Sequence, residues 1–176
     1  MIAVYLILII IAIPLVAAAL MKDEYTIQEE IVINKPSTVV FDFVRFLKNT
    51  DQYNKWAMLD PNVNRTFTGT DGTVGCIYAW DSTHKQVGKG EQEITKITEG
   101  SRIDYKLRFF KPFEGEADSW LITSPVNNNE TKVSWGFYGK RNFANRIFHF
   151  LFNMKKMLGK DLQTSLQNLK GILENA

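Results

Sequence analysis

Acid–base chemistry in this sequence would have to come from a few carboxylates. Glu91 and Glu93 stand two residues apart, as do Glu114 and Glu116, so on a strand each pair shares a face. Facing an apolar cavity, one member of such a pair would have a raised pKa and could move protons; facing water, the pair would simply be solvated. Asp60, after Leu59, and Asp104, beside Tyr105, carry the same two readings. Metal binding has little to work with. Cys76, His84 and His149 are the only thiol and imidazole side chains, and none has a second one at ligand spacing. His149, between Phe148 and Phe150, reads as a partly buried or interfacial residue, and His84, beside Lys85, as a surface one. There is no G-x-S-x-G, and Cys76 reads as a small core side chain within a strand. The glycines at 69, 72 and 75 and Gly88-Lys89-Gly90 fall between strands, where they make turns and bulges rather than phosphate cradles. No catalytic residue, metal-ligand set or cofactor site emerges, and the sequence leans away from an enzyme.

Aromatic residues are the stronger signal. Trp56, Tyr78, Trp80, Tyr105, Phe109, Trp120, Trp135 and Phe137 are spread over the strands and the loop that precedes them. Strand parity puts Ile103, Tyr105, Leu107 and Phe109 on one face, and likewise Val133, Trp135 and Phe137. Core packing alone would account for many of these.

The elements that must position them can be read in order. Leu151, Met154, Leu158, Leu162, Leu166, Leu169 and Leu173 recur every three or four residues, which predicts one long amphipathic helix over Phe143–Asn175. Asn142 is its expected N-cap, Lys170 suits its C-terminal dipole, and Gly159 is the expected place for a bend. Upstream, Tyr25–Ile33 alternates as a strand, and Asn34-Lys35-Pro36-Ser37 ends it and starts a helix buried through Val39, Val40, Phe43, Val44 and Leu47. Six more strands are expected at 65–70, 72–80, 88–98, 102–109, 117–123 and 131–138, with a loop at Pro125–Glu130. The order of one strand, helices, six strands and a long helix is an α+β pattern. A stripe of that length needs a large partner surface, so the sheet is expected to grip the helix.

The 176 residues suit one domain and an appendage, and the single cysteine excludes an internal disulfide. A net charge of +2 argues for neither nucleic-acid binding nor an acidic tail. The charges are unevenly placed, however. Lys140, Arg141, Arg146, Lys155, Lys156 and Lys160 precede Asp161 with no acid among them. They flank and follow Phe143, Ile147, Phe148, Phe150, Leu151 and Phe152, so this end is either buried by the sheet or forms an amphipathic lip for anionic headgroups. Residues 1–22 are expected to form a transmembrane anchor, because Ile2–Met21 has no charged side chain and twenty residues span about 30 Å. A cleaved signal would carry a basic start, which is missing here, although Ala17-Ala18-Ala19 would suit a cleavage site. Residues 23–176 would then be the domain. Lys22 is offset by Asp23 and Glu24, so the membrane side of the domain is not legible.

Residues 24–175 resemble the START-like (SRPBCC) superfamily, and within it the polyketide cyclase/dehydrase and lipid transport proteins with the helix-grip, or Bet v 1-like, fold. The matching stretches are Ile31-Val32-Ile33-Asn34-Lys35-Pro36 running into Val39-Val40-Phe41-Asp42, then Trp56, Tyr78-Ala79-Trp80 and Val87-Gly88-Lys89-Gly90. Lys111-Pro112-Phe113-Glu114-Gly115, Thr131-Lys132-Val133-Ser134-Trp135 and Lys156-Met157-Leu158-Gly159-Lys160-Asp161 complete the set. The resemblance implies an antiparallel sheet curled around the long C-terminal helix, with an apolar cavity between them. Tyr78, Trp80, Tyr105, Phe109, Trp120, Trp135 and Met154 are the expected lining, and Arg108 an expected contact for an anionic headgroup. It also implies a hydrophobic small molecule or lipid as partner, with the membrane as a second partner and no nucleic acid. Relatives with one N-terminal hydrophobic segment suggest a single-pass protein of the bacterial inner membrane. A cyclase or dehydratase on a polyketide-like substrate, or a protein-interaction domain with a filled interior, are the alternatives.

Overall fold

Alternating apolar residues set the strands, and turn residues end them. Residues 2–112, 114–140 and 142–176 are described by the computed structural model, without the side chains at positions 3, 4, 7, 11, 144 and 148. Phe113, Arg141 and the Phe148 side chain, named above, thus lie outside the described residues. Seven strands form one antiparallel sheet: β1 (Glu24–Ile33), β2 (Asn64–Thr68), β3 (Ile77–Asp81), β4 (Lys89–Thr98), β5 (Arg102–Lys111), β6 (Gly115–Asn127) and β7 (Glu130–Lys140). From β2 to β7 each strand pairs with its successor, and β1 closes on β7 with Ile27 opposite Phe137, giving the order β1-β7-β6-β5-β4-β3-β2. Register shifts in β4 at Lys89/Gly90 and Ile94/Lys96 bend and twist that strand.

The helices among the described residues are α1 (Ile2–Leu20), α2 (Ser37–Val44), α3 (Thr50–Tyr53), α4 (Lys55–Met58), α5 (Phe143–Phe152) and α6 (Met154–Glu174), with a 3₁₀ turn at Leu47–Asn49. Among the described residues no helix is long and apolar enough to cross a membrane. Four side chains of α1 fall outside that description. In α2 it is Phe41, with Val40 and Val44, that is buried, whereas Val39 faces out.

The expected single C-terminal helix is two. Asn153 sits in the left-handed region (φ 45°), and the chain turns there rather than at Gly159. Asn, like Asp, visits this conformation more readily than most residues with a β-carbon. Asn142 does cap α5, accepting from the Asn145 N–H. Gly159 has another role. It is buried where α6 crosses β1, and a β-carbon there would come within 2.8 Å of a Glu29 carboxylate oxygen.

Two parallel stripes fasten α6. Leu162, Leu166, Leu169 and Leu173 are buried with Ile27, Ile33, Val133 and Trp135 in one core. Beside them run Asp161, Ser165 and Asn168, again at helical spacing. Asp161 pairs with Lys55, Ser165 Oγ accepts from the Lys55 backbone N–H (3.0 Å), and Asn168 donates to the Tyr53 carbonyl (3.2 Å). The polar stripe thereby ties α3 and α4 over the concave face of the sheet. At the far end Lys170 donates to the Val32 carbonyl (2.7 Å) and Glu174 accepts from the Asn34 N–H (2.6 Å). The leucine stripe does not extend the whole way, because Leu151, on α5, is 58% exposed.

Two further departures concern strand limits. Most of Pro125–Glu130 is strand, turning only at Asn128-Asn129. Pro125 is tolerated there because it lies beyond the last pair with β5, at Ile122, and beside a register shift against β7. The segment 72–76 is loop, and Cys76 is buried just ahead of β3, its carbonyl accepting from Ile94 (2.9 Å).

Two stability measurements check this account. Leu166→Ala is expected to cost about 2–5 kcal/mol in denaturant unfolding and Leu151→Ala a few tenths; equal effects would contradict the division of the stripe. Gly159→Ala is expected to gain up to about 1 kcal/mol from helix propensity, since only the flexible Glu29 carboxylate must move. A clear loss instead would mean that the Glu29 position is fixed by its surroundings.

Candidate functional site

Strand parity turns a band of aromatic rings toward the helices. Phe67 and Tyr78 pack at 5.0 Å between ring centroids, Tyr78 and Trp80 at 6.0 Å, and Trp80 and Phe109 at 6.2 Å. A second series runs from Tyr53 through Trp135 (5.8 Å) and Phe137 (6.1 Å) to Trp56 (6.1 Å). Between the two series the sheet carries Leu107 and Ala117, which are paired in register, with Gly139 next to Ala117. Exposure rises along β5 from Ile103 and Tyr105, both buried, to Phe109, which is 38% exposed. Trp56, Trp80, Phe137 and Leu158 are partly buried and pack against the core. The concave face is therefore filled at one end and open at the other. Gly90 belongs to the open end. The Trp80 ring lies where its β-carbon would be, at 2.6 Å, so any other residue there would displace the indole.

Several polar groups of the band have partners. Trp80 donates its indole N–H to the Val87 carbonyl (3.2 Å), and Trp135 donates to Ser119 Oγ (3.2 Å), which itself donates to the Gly136 carbonyl (2.9 Å). Tyr78 donates to Asp51 (2.6 Å) and accepts from Arg65 Nε (3.2 Å), while Arg65 also pairs with Asp51 (2.9 Å). This triad clamps α3 to the β2–β3 edge. Burial holds the phenols in their neutral form. It pushes Tyr53 up to about 12 and raises Tyr105 well above the usual tyrosine value. Tyr78 is raised too, by burial and then by the hydrogen bond to Asp51. None of the three is poised to exchange protons near neutral pH.

Of the residues expected to line a cavity, Tyr78, Trp80, Tyr105, Phe109 and Trp135 lie on this concave face. Met154 starts α6 and is half-buried. Trp120 and Arg108 do not join them, because each sits between inward-facing neighbours on its strand and points to the convex side. Trp120 lies across Gly136, meets Arg102 at 5.6 Å and donates to Gln28 (3.3 Å). Arg108 holds Glu91 (2.9 Å) and Glu93 (2.8 Å). The carboxylates considered for acid–base work are engaged in the same way. Glu116 pairs with Lys106 (3.0 Å), Asp104 with Arg102 (2.6 Å), and Asp60 accepts from Ser82; Glu114 is exposed. Among the described residues no group of three His, Cys, Asp or Glu side chains is placed to hold a metal. Burial raises the Cys76 thiol, and that keeps it protonated.

Two adjoining clefts lie elsewhere, at the elbow between α5 and α6. One, of about 340 Å³, is bounded by Glu29, Gly159, Lys156 and Lys160. The other, of about 570 Å³, is bounded by Lys22, Tyr25, His149 and Phe150. Ile27, Asn153 and Lys155 border both. Sequence reasoning did not find them, since they depend on the turn at Asn153. Phe137 and Trp56 were also left out of the expected lining. For Phe137 the signal was present in its shared parity with Trp135.

No family model matches the chain, and no curated protein matches it. Solved structures do. Protein MLL2253 from Mesorhizobium loti is 13% identical, with a TM-score of 0.62 over 86% of this chain and 98% of that one. Ara h 8.0201 is 12% identical, with a TM-score of 0.58 over 87% and 99%. The di-domain ARO/CYC protein BexL, from the BE-7585A biosynthetic pathway, is 17% identical, with a TM-score of 0.58 over 90% of this chain and 52% of its own length. These likenesses show the fold, a seven-stranded antiparallel sheet around a long C-terminal helix. The chain has the helix-grip fold.

The buried phenols set an alkaline limit. Their folded pKa values lie above the unfolded value of about 10, so the stability they contribute is complete below pH 10 and is lost as pH rises through the folded values. Each phenol removes about 1.4 kcal/mol per pH unit in that window. Tyrosinate absorbance for Tyr53, Tyr78 and Tyr105 is expected to appear only together with loss of the circular dichroism of the fold. Ionisation of these three near pH 10 in a folded protein would contradict their burial.

Proposed function

We propose that this protein is a single-pass membrane protein of the bacterial inner membrane, whose helix-grip domain binds a hydrophobic small molecule of the lipid or isoprenoid class. The observation that carries the binding reading is the half-open aromatic band. Trp56, Trp80, Phe109 and Phe137 keep part of their surface exposed, and the Tyr78 hydroxyl and Trp80 indole N–H beside them already have partners. Apolar walls with a few placed polar groups are what small apolar ligands use. The likeness of fold to an ARO/CYC protein makes a cyclase or dehydratase the second reading. It lacks support at the site, where the phenols are held neutral and Asp51 is held by Arg65 and Tyr78.

The anchor reading rests on α1. Counted over the whole sequence, Ile2–Met21 has no charged side chain, and the helix of 19 residues is about 28 Å long, close to the thickness of a bilayer core. Its described side chains are exposed on several sides at once, including Tyr5, Leu8, Ile10 and Leu15. A helix apolar all round belongs in a core or a membrane.

Two measurements on the detergent-solubilised full chain test the binding reading. Organic extraction followed by mass spectrometry is expected to release a stoichiometric apolar molecule, against a mock purification. Titration with anilinonaphthalene sulfonate is expected to show a site that Phe109→Ala weakens about tenfold, for the loss of roughly 1.5 kcal/mol of apolar contact. The same change is expected to shift unfolding stability by less than about 1 kcal/mol, because the ring is half-exposed. An empty protein whose probe binding ignores Phe109→Ala would rule the band out as a binding site.

A further inference from the structure

α5 presents an apolar stripe outward. Phe143, Ile147, Phe150 and Leu151 recur at i, i+4, i+7 and i+8, and Phe143, Phe150 and Leu151 are exposed. Another side of the helix is engaged with the rest of the chain. Arg146 donates to the Met21 carbonyl (3.0 Å) and pairs with Asp23 (3.1 Å), while the His149 ring packs on Tyr25 at 4.9 Å. Just past the elbow, Lys155, Lys156 and Lys160 are exposed, and no acid occurs between Lys140 and Asp161. Among the described side chains of α1, Pro14, Ala17 and Ala18 lose exposure, as does Met21 just after the helix, and α1 rests on α5. At 1.5 Å per residue Pro14 to Ala18 spans about 6 Å of the α1 axis. An interfacial helix lies about 5–10 Å deep in the boundary between headgroups and acyl chains.

We infer that α5 is an interfacial helix whose apolar stripe is covered by an anionic bilayer surface. Phe143, Phe150 and Leu151 enter the acyl boundary, and Lys155, Lys156 and Lys160 meet the lipid phosphates. The two elbow clefts then open at headgroup level, with Lys155 shared between them. The depth argument rests on the anchor reading above; the stripe and the charge run do not. A second copy of the chain fits this face less well. A two-fold contact through α5 would bring the same lysines of both chains together, and like charges across an interface are repelled.

The test uses the full chain reconstituted into vesicles with and without phosphatidylglycerol. A fluorescent label is placed at Leu151→Cys or, as reference, at Val126→Cys on the opposite end of β6, with Cys76→Ala removing the native thiol. Melting curves establish that each variant is folded. On vesicles with phosphatidylglycerol, the Leu151 label is expected to be quenched by nitroxide lipids and shielded from an aqueous quencher, and the Val126 label the reverse. Lys155→Gln and Lys156→Gln are expected to reduce the docked fraction about fivefold per charge. Carbonate extraction reads the anchor separately. Protein that resists extraction with a water-accessible Leu151 label overturns the α5 inference and keeps the anchor. Protein that is extracted, yet binds phosphatidylglycerol vesicles with a lipid-quenched label, keeps α5 and overturns the anchor. A label shielded from water but not quenched by lipid, with label–label transfer between chains, overturns the inference in favour of self-association.

Discussion

Everything in this structure hangs on how α6 is held against the concave face of the sheet. Four leucines supply the apolar contact, each buried in the one core cluster, and such burial is favourable. That contact alone would let the helix slide, because leucines packed on a sheet specify register weakly. The polar stripe beside it removes this freedom. Asp161, Ser165 and Asn168 each reach a different group on α3 or α4, so a shift by one turn would leave an acid, a hydroxyl and an amide without partners. Removing one partner of a buried polar pair costs about 1–3 kcal/mol, and that penalty fixes the helix in place. Gly159 lies where α6 crosses β1, beside the Glu29 carboxylate.

With α6 fixed, the turn at Asn153 decides where the rest of the apolar C-terminal segment goes. A straight helix would carry Phe143–Phe152 onward along the line of α6. The left-handed residue instead swings α5 to the start of β1, where Tyr25, Met21 and Asp23 receive it. The same turn creates the elbow clefts. One residue conformation thus separates a helix that serves the core from one that serves the surface.

These features were unequally legible in the sequence. The order of strands and the gripped helix could be read because alternation and the leucine spacing are local patterns, each tied to one face of one element. The parity of β5 and β7 likewise placed Tyr105, Phe109, Trp135 and Phe137 together. Trp120 and Arg108 went astray for the opposite reason. An aromatic ring looks like a core residue until its strand neighbours are seen to face the other way. Ser119 and Leu121 take the inward positions on β6, and Trp120 finds its apolar surface on the convex side over Gly136. The elbow was hidden by composition. Gly159 breaks helix propensity and Asn153 does so more mildly, yet Gly159 stays helical and buried at the crossing with β1 while the chain turns at Asn153, and only the path of the chain reveals that.

The location of the open end bears on how a ligand would arrive. β1 begins at Glu24, opposite Lys140, and Tyr25 pairs with Gly139, which pairs with Ala117. Phe109 pairs with Gly115 one step further out, and Gly90 and Trp80 continue the same row. The rim of the aromatic band is therefore the same end of the sheet from which α1 departs and against which α5 lies. The filled end, with Ile103, Leu121 and Val133, is the distal one. If α1 spans the membrane as proposed, the band opens toward the bilayer, and an apolar molecule can pass between lipid and protein without crossing water. A domain facing the other way would need a detachable carrier step to collect such a molecule. Facing this way it needs none, and the short connection Met21–Asp23 leaves little slack for the domain to turn over. On that proposal the fold, its fixed helix and its linker would act together to keep one surface, and one opening, at the membrane.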